Sequence, residues 1–331
     1  MSPPLLSLAV VVLAAGLSGL IVWAIKPLLQ RYALARPNAR SSHRVPTPQG
    51  AGIAVIAATL LVASGFLFVT GEALPLALFA AALGIALVGA VDDIRPIPVL
   101  PRLILQGICV AAMLYAAGDG RIWQAAPFWL ERIALFFAVL WFVNLVNFMD
   151  GLDLITVAEV VPVTVGFVAL GWLGALPPIV ALVAAALGGA ALGFSPFNRP
   201  VATIFLGDVG SLPIGLLLGW GLVELAYQGG LIAALLLPLY YLMDATVTLL
   251  RRLLKREQVW VAHRSHYYQQ ATDNGFSVTT VVSLVFVLNT LLAGLAISSM
   301  LTESLATKLT LLALGLAATA LLMRRFTIKL H

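Results

Sequence analysis

Charge is what this chain has least of. Asp, Glu, Lys and Arg make up 10% of its 331 residues and hydrophobic types 61%, where a soluble domain carries about 25% charged residues. So little charge excludes an ordinary soluble protein, because the apolar surface could not all be hidden from water. Cysteine is almost missing. The single thiol, Cys109, lies in an apolar stretch, which excludes an intramolecular disulfide and a cysteine-ligated zinc site and leaves packing as its expected role. No long linker, charged tail or low-complexity segment breaks the chain, so one domain over 1–331 is expected. Residues 1–25 lack a positive leading region, and Lys26 follows a run long enough to span a bilayer; that run is expected to be the first helix rather than a cleaved signal.

Apolar stretches fill the space that charge leaves. About 20 residues of helix cross roughly 30 Å of hydrocarbon, and runs near that length recur throughout. The expected spans are 5–25, 51–69, 76–91, 103–117, 133–149, 157–173, 178–193, 212–227, 231–250, 278–297 and 309–323. The expected fold is therefore all-α, a polytopic membrane protein of about eleven transmembrane helices. Loops alternate sides, and of nineteen Lys and Arg, sixteen fall on one side: Lys26, Arg31, Arg36, Arg40, Arg44, Arg95, Arg102, Arg199, Arg251, Arg252, Lys255, Arg256, Arg264, Arg324, Arg325 and Lys329. Only Arg121, Arg132 and Lys308 fall on the other. The excess of basic residues on cytoplasmic loops predicts an N-terminus outside and a C-terminus in the cytoplasm. The formal charge of +5 then sits beside the inner leaflet, near anionic headgroups or an anionic substrate, and no nucleic-acid partner is expected.

The same topology sends Asp92, Asp93, Asp150, Asp153, Asp208 and Asp244, and all four histidines, to cytoplasmic helix ends. A single boundary carboxylate is readily explained by solvation. Six together repel one another unless a cation intervenes. Magnesium suits them, since it takes one or two carboxylates and completes its shell with water and phosphate oxygens; manganese is the alternative. His263 and His266, three apart and without cysteine or an obvious third ligand, do not favour zinc.

Other segments point to phosphate. In Phe205-Leu206-Gly207-Asp208-Val209-Gly210-Ser211 the glycines permit close backbone approach, Asp208 can hold a metal, and the next helix opens with free N–H groups. In Asn147-Phe148-Met149-Asp150-Gly151-Leu152-Asp153 three polar side chains recur at intervals of three, one face if helical, although a capped helix end would read the same way. Residues 40–44 (Arg40-Ser41-Ser42-His43-Arg44) form a basic turn before Pro46-Thr47-Pro48. Residues 251–277 carry Arg251, Arg252, Lys255, Arg256, His263, Arg264 and His266 beside Trp260, Tyr267 and Tyr268. Both basic loops suit an anionic ligand and equally a topology signal.

In this order, these segments resemble the polyprenyl-phosphate N-acetylhexosamine-1-phosphate transferases, glycosyltransferase family 4. The likeness covers nearly the whole chain and rests on the loop Arg40 to Gly52, the pair Asp92-Asp93, the Asn147 to Asp153 motif, Asn198 with Phe205 to Ser211, Asp244, and Ala262-His263-Arg264-Ser265-His266. The last looks like the O-antigen-initiating branch; the peptidoglycan branch carries consecutive histidines there. Leu154 stands where the family usually has glycine, and Gln49 and Ala51 replace the usual arginine and glycine.

The resemblance implies transfer of a sugar 1-phosphate from a UDP-N-acetylated hexosamine to undecaprenyl phosphate at a bacterial inner membrane, with release of UMP. It implies Asp208 as magnesium ligand and Asp92 with Asp93 as the pair that positions or deprotonates the lipid phosphate. Asp150 and Asp153 would be nucleotide or metal partners. His263, Arg264 and His266 would neutralise the diphosphate, with Arg40, His43, Asn147 and Asn198 also binding substrate. The branch tilts the sugar towards FucNAc or QuiNAc. Membrane lipid is an expected partner, and a homodimer is compatible with a sequence that bears no signal for or against one. The alternative, a transporter of an anionic substrate, predicts midplane charges and an internal repeat, and the sequence shows neither.

Overall fold

A computed structural model of the protein describes residues 2–35, 46–258 and 263–330. Arg40 and His43, both expected to bind substrate, lie outside the described residues. The helices, in chain order, are α1 (Pro3–Tyr32), α2 (Gly52–Thr70), α3 (Leu76–Ile94), α4 (Val99–Ala116), α5 (Phe128–Met149), α6 (Ile155–Trp172), α7 (Pro178–Phe194) and α8 (Asp208–Tyr227). They continue as α9 (Leu231–Leu236), α10 (Leu239–Leu254), α11 (Tyr267–Asp273), α12 (Val278–Met300) and α13 (Leu305–Phe326). Two two-residue strands, β1 (Leu34–Ala35) and β2 (Thr47–Pro48), pair antiparallel after α1. Among the described residues ten helices are long and apolar enough to cross a membrane, and the protein is an all-α, multi-pass membrane protein. The expected span 231–250 departs from this pattern. It is two helices, α9 and α10, parted at Pro238, because proline has no N–H for the helical ladder and its ring clashes with the carbonyl four residues back.

Lipid offers no hydrophobic gain for joining one apolar helix to another, so close packing and buried polar ties hold such a bundle. The run Ala184-Ala185-Ala186-Leu187-Gly188-Gly189-Ala190-Ala191 makes α7 narrow, and α7 packs against α1, α2 and α6. Glu159 of α6 accepts a 2.7 Å hydrogen bond from Asn289 of α12, and Asn144 of α5 donates a 2.8 Å one to Gln106 of α4. Helix α8 forms the centre, buried at 16 of its 20 positions and packed on α3 and α5. Helix α13, buried only at Gly315, Thr319, Met323 and Phe326, is peripheral. The centre therefore carries the residue that opens α8, Asp208.

Candidate functional site

The site begins with a close approach of α3 to α8. A side chain at Gly89 would collide with the backbone of Asp208 and Val209, so the lack of one lets the helices touch and brings Asp93, one turn further along α3, over the start of α8. The first N–H groups of a helix have no partner within it. Here Asp93 supplies one, its Oδ1 accepting from the Asp208 N–H at 3.0 Å and its Oδ2 from the Val209 N–H at 3.1 Å. A carboxylate at this end also complements the helix dipole. Gly207, at φ 77°, makes the turn; a Cβ there would be strained and would lie 2.6 Å from Asp93 Oδ2. Gln49 donates to the Asp93 carbonyl at 2.9 Å, and the Gly50, Ala51 and Gly52 N–H groups bond to Phe205 and Leu206 carbonyls. The segment after the basic loop is thus laced to the Phe205 to Ser211 motif.

With its backbone held, Asp208 turns its carboxyl to Asn147, whose Nδ2 donates to Asp208 Oδ1 at 2.7 Å and to Ser211 Oγ at 2.9 Å. Asp92 stands on the other side. Its Oδ1 accepts from the Ile97 N–H at 2.6 Å and its Oδ2 pairs with Arg102 at 2.7 Å. The carboxyl groups of Asp92 and Asp208 are also within hydrogen-bonding reach of each other. Two ionised carboxylates make such a contact only with a proton or a cation between them. No cluster of three or more His, Cys, Asp or Glu side chains is arranged as a metal cage among the described residues; magnesium needs fewer protein ligands than that.

The turn between α5 and α6 completes this side. Asp150 is half-buried and accepts from the Thr156 hydroxyl. Burial pushes its carboxyl up to about 6, the Thr156 hydrogen bond opposes this, and the charges of Asp93 and Asp153 add to it. Asp153 accepts from the Ala202 N–H at 3.0 Å. Asn198, expected to bind substrate, is a buried clamp: its Oδ1 accepts from the Leu154 N–H at 2.7 Å and its Nδ2 donates to the Ile204 carbonyl at 3.0 Å. Leu154 itself adopts φ 63°, ψ 0°, a left-handed conformation in which glycine is the natural occupant.

The histidine loop joins through α11. Asp244 of α10 is fully buried and accepts from the first two N–H groups of α11, Tyr267 at 3.0 Å and Tyr268 at 3.1 Å. His266 Nδ1 stands 3.2 Å from Asp244 Oδ1. Tyr268 donates to the Phe148 carbonyl at 3.1 Å and bonds with the Gly151 backbone, fastening the loop to the Asn147 to Asp153 turn. Arg264 pairs with Asp273 at 3.0 Å, and the His263 ring lies against that of His266, centroids 4.9 Å apart and tilted by 32°.

Asp92, Asp93, Asn147 and Asp208 are thus in direct contact. Asp150 faces Asp93 and Asp153 electrostatically, and His263, Arg264 and His266 belong to the loop fastened beside them. Arg102 and Tyr268, which do much of this joining, were read from the sequence only as a topology charge and as part of an aromatic loop. Arg102 had no other signal, ten residues beyond its partner. Tyr268 lies 120 residues from the carbonyl it holds.

Fold and site define a membrane-embedded protein with a carboxylate cluster at one end of its helices and a histidine loop fastened to it. A model of the family described as glycosyl transferase family 4 matches residues 75–226. A probable undecaprenyl-phosphate N-acetylglucosaminyl 1-phosphate transferase of Bacillus subtilis is 26% identical over 297 residues, 84% of this chain and 82% of that protein. A decaprenyl-phosphate N-acetylglucosaminephosphotransferase of Mycobacterium tuberculosis is 28% identical over 300 residues, 77% and 72%. A phospho-N-acetylmuramoyl-pentapeptide-transferase of Desulforamulus reducens is 30% identical over 251 residues, 65% and 73%. The chain belongs to glycosyl transferase family 4.

Proposed function

We propose that this protein transfers an N-acetylated hexosamine 1-phosphate from a UDP-sugar to undecaprenyl phosphate, releasing UMP and starting a lipid-linked surface glycan such as O-antigen. The observation that carries the reading is the junction of Asp92, Asp93, Asn147 and Asp208 with a histidine loop at the same end of the bundle, in a family whose relatives are named for this class of transfer. One end offers polar groups to a soluble anionic donor, and the apolar flanks of the helices offer lipid contact to a polyprenyl acceptor. The basic excess on that side supports a cytoplasmic site at a bacterial inner membrane. A transporter would need its polar groups at mid-membrane, and the cluster is at helix ends.

Magnesium, or manganese, would be held by Asp208 with Asp92. Bound there, it would offset the negative charge of the diphosphate. Asn147 fixes the Asp208 carboxyl, and Arg102 fixes that of Asp92. The acceptor phosphate has a second pKa near ~6, so at neutral pH it is already largely a competent nucleophile. Asp93 has both oxygens engaged by the backbone N–H groups that open α8, which supports direct attack of the lipid phosphate over an intermediate on that residue. His263 and Arg264 would meet the donor diphosphate. The sugar is proposed as FucNAc or QuiNAc on the His-Arg-Ser-His form alone.

Purified protein incubated with magnesium, undecaprenyl phosphate and a panel of UDP-sugars should release UMP with one of them, and the mass of the lipid product identifies the sugar. No UMP with any of them would refute the reading. Labelled UMP should enter UDP-sugar only when lipid is present; exchange in delipidated enzyme would establish the covalent route instead.

A further inference from the structure

We propose that Asp244 and Ser265 lock the two neighbouring histidines in opposite tautomers, so that His263 presents an Nε2–H donor and His266 a bare Nε2 acceptor. Asp244 is thereby a positioning residue for the transferase reading above, on which its role in turnover rests.

Asp244 is surrounded by donors. Asp244 Oδ1 accepts from the Tyr267 N–H at 3.0 Å and the Thr248 hydroxyl at 3.3 Å, and Oδ2 accepts from the Tyr268 N–H and the Tyr240 hydroxyl, both at 3.1 Å. A backbone N–H cannot accept, so both oxygens face their partners as acceptors. His266 Nδ1, 3.2 Å from Oδ1, therefore carries the proton, and neutral His266 has its lone pair on Nε2. His263 is the reverse case. The Ser265 N–H donates to its Nδ1 at 3.3 Å and the Ser265 hydroxyl lies 2.8 Å from the same atom. That nitrogen is an acceptor, so the proton of neutral His263 is on Nε2.

His266 is not free to average these states. It is 3% exposed, its ring stacked on Tyr268, centroids 5.7 Å apart at 22°, and tilted against His263, centroids 4.9 Å apart at 32°. Turning it over would take Nδ1 from Asp244 and leave a fully buried carboxylate short of a donor. The pair thus offers two unlike groups side by side. His263 suits an unprotonated phosphoryl oxygen. His266 suits a group that bears a hydrogen, such as a hydroxyl, an amide N–H or a monoprotonated phosphate. Two histidines of one kind would offer no such distinction.

The tautomers are readable without any turnover. The chain has four histidines, so two-bond proton–nitrogen NMR of 15N-histidine-labelled protein in detergent above pH 8, assigned with His263→Gln and His266→Gln, should show Nδ1–H for His266 and Nε2–H for His263. Nε2–H at His266, the form a free histidine side chain prefers, overturns the proposal, as does Nδ1–H at His263. In an active preparation, Asp244→Asn should lower kcat by up to about 100-fold, the cost of misplacing a positioned group, and change KM for the UDP-sugar less than threefold. In a His266→Ala background it should lower kcat little further. Losses that multiply would make Asp244 structural rather than a positioning residue for His266. A wild-type protein without UMP release would sink the transferase reading, while the spectra would still decide the tautomers.

Discussion

Helices α8 and α11 both start on a carboxylate from another helix. Asp93 of α3 takes the first two N–H groups of α8, and Asp244 of α10 takes those of α11. The device is the same and the helices are not. Helix α8 has 20 residues, 16 of them buried in the bundle, and tertiary packing would keep it helical without its cap. Helix α11 has seven residues, far below the 12–15 or so at which an isolated helix becomes marginal. Asp93 therefore adjusts the position of a helix that exists anyway, and Asp244 helps a helix exist. The groups served differ as well: an acid, Asp208, at one start, and a base, His266, at the other.

The two starts should differ most in how far the reaction depends on them. Asp208→Asn keeps a side-chain oxygen for Asn147 but removes the charge. We expect turnover to fall by about a thousandfold or more, equivalent to roughly 4 kcal/mol of transition-state stabilisation, with unchanged helicity by circular dichroism. A twofold loss would move the metal to other residues, Asp150 first among them. The caps themselves come next. Replacing a capping carboxylate by Ala costs about 0.5–2 kcal/mol, and that cost should appear differently in the two helices. Hydrogen exchange should quicken over Tyr267–Asp273 in Asp244→Ala and change little along α8 in Asp93→Ala; the Asn variants keep a capping oxygen. Equal protection losses in both helices would erase the distinction drawn between them.

Asp150 lies between the two starts, facing Asp93 on one side and joined to Tyr268 through the Phe148 to Gly151 turn. Its carboxyl is raised to about 6 from an ordinary 3.8, so the folded protein holds that proton more tightly than the unfolded chain. The stability this confers is complete below about pH 3.8 and is lost as pH rises through about 6. Asp150→Asn cannot lose it. In EDTA, the Tm of the variant relative to wild type should rise by about 2–4 °C between pH 4 and pH 7. A difference independent of pH would mean that Asp150 is not strained by its surroundings.

Much of this was legible in the sequence, and the remainder was hidden for physical reasons. Apolar runs mark ten of the spans, because length and hydropathy decide what can cross lipid. Most lie within four residues of the observed limits; α1 runs seven residues further, to Tyr32, and α5 begins five earlier, at Phe128. The eleventh was read through Pro238, where overall hydropathy outweighed one residue's missing N–H. The carboxylates were legible as residues and as a cluster. Their division of labour was not. Asp93 as a cap on α8 spans 115 residues, and a buried Asn198 with both ends of its amide engaged looks, in sequence, like any polar residue before a glycine-rich loop. Leu154 was legible as a departure, and the structure supplies its meaning: the usual glycine matches a left-handed φ.

That conformation allows the finest test of how the two starts are kept in register. Leu154 ends the turn whose carbonyl at Phe148 is held by Tyr268 and whose N–H at Leu154 is held by Asn198, so the turn ties the α11 side to the loop that leads into α8. A non-glycine residue at φ 63° costs about 1–2 kcal/mol. Leu154→Gly relieves that cost. It also gives up the contacts of a half-buried side chain, roughly 1 kcal/mol, and frees the unfolded chain by about 0.5–1 kcal/mol more. The terms nearly cancel, and the variant should melt within about 1 kcal/mol of wild type with UMP release intact. Leu152→Gly, two residues earlier, removes a buried side chain with no left-handed strain to relieve, and should cost about 2–5 kcal/mol. If both changes destabilise alike, Leu154 is not strained. If Leu154→Gly is stable but inactive, the leucine side chain rather than the backbone angle keeps the acid at α8 and the base at α11 facing one substrate.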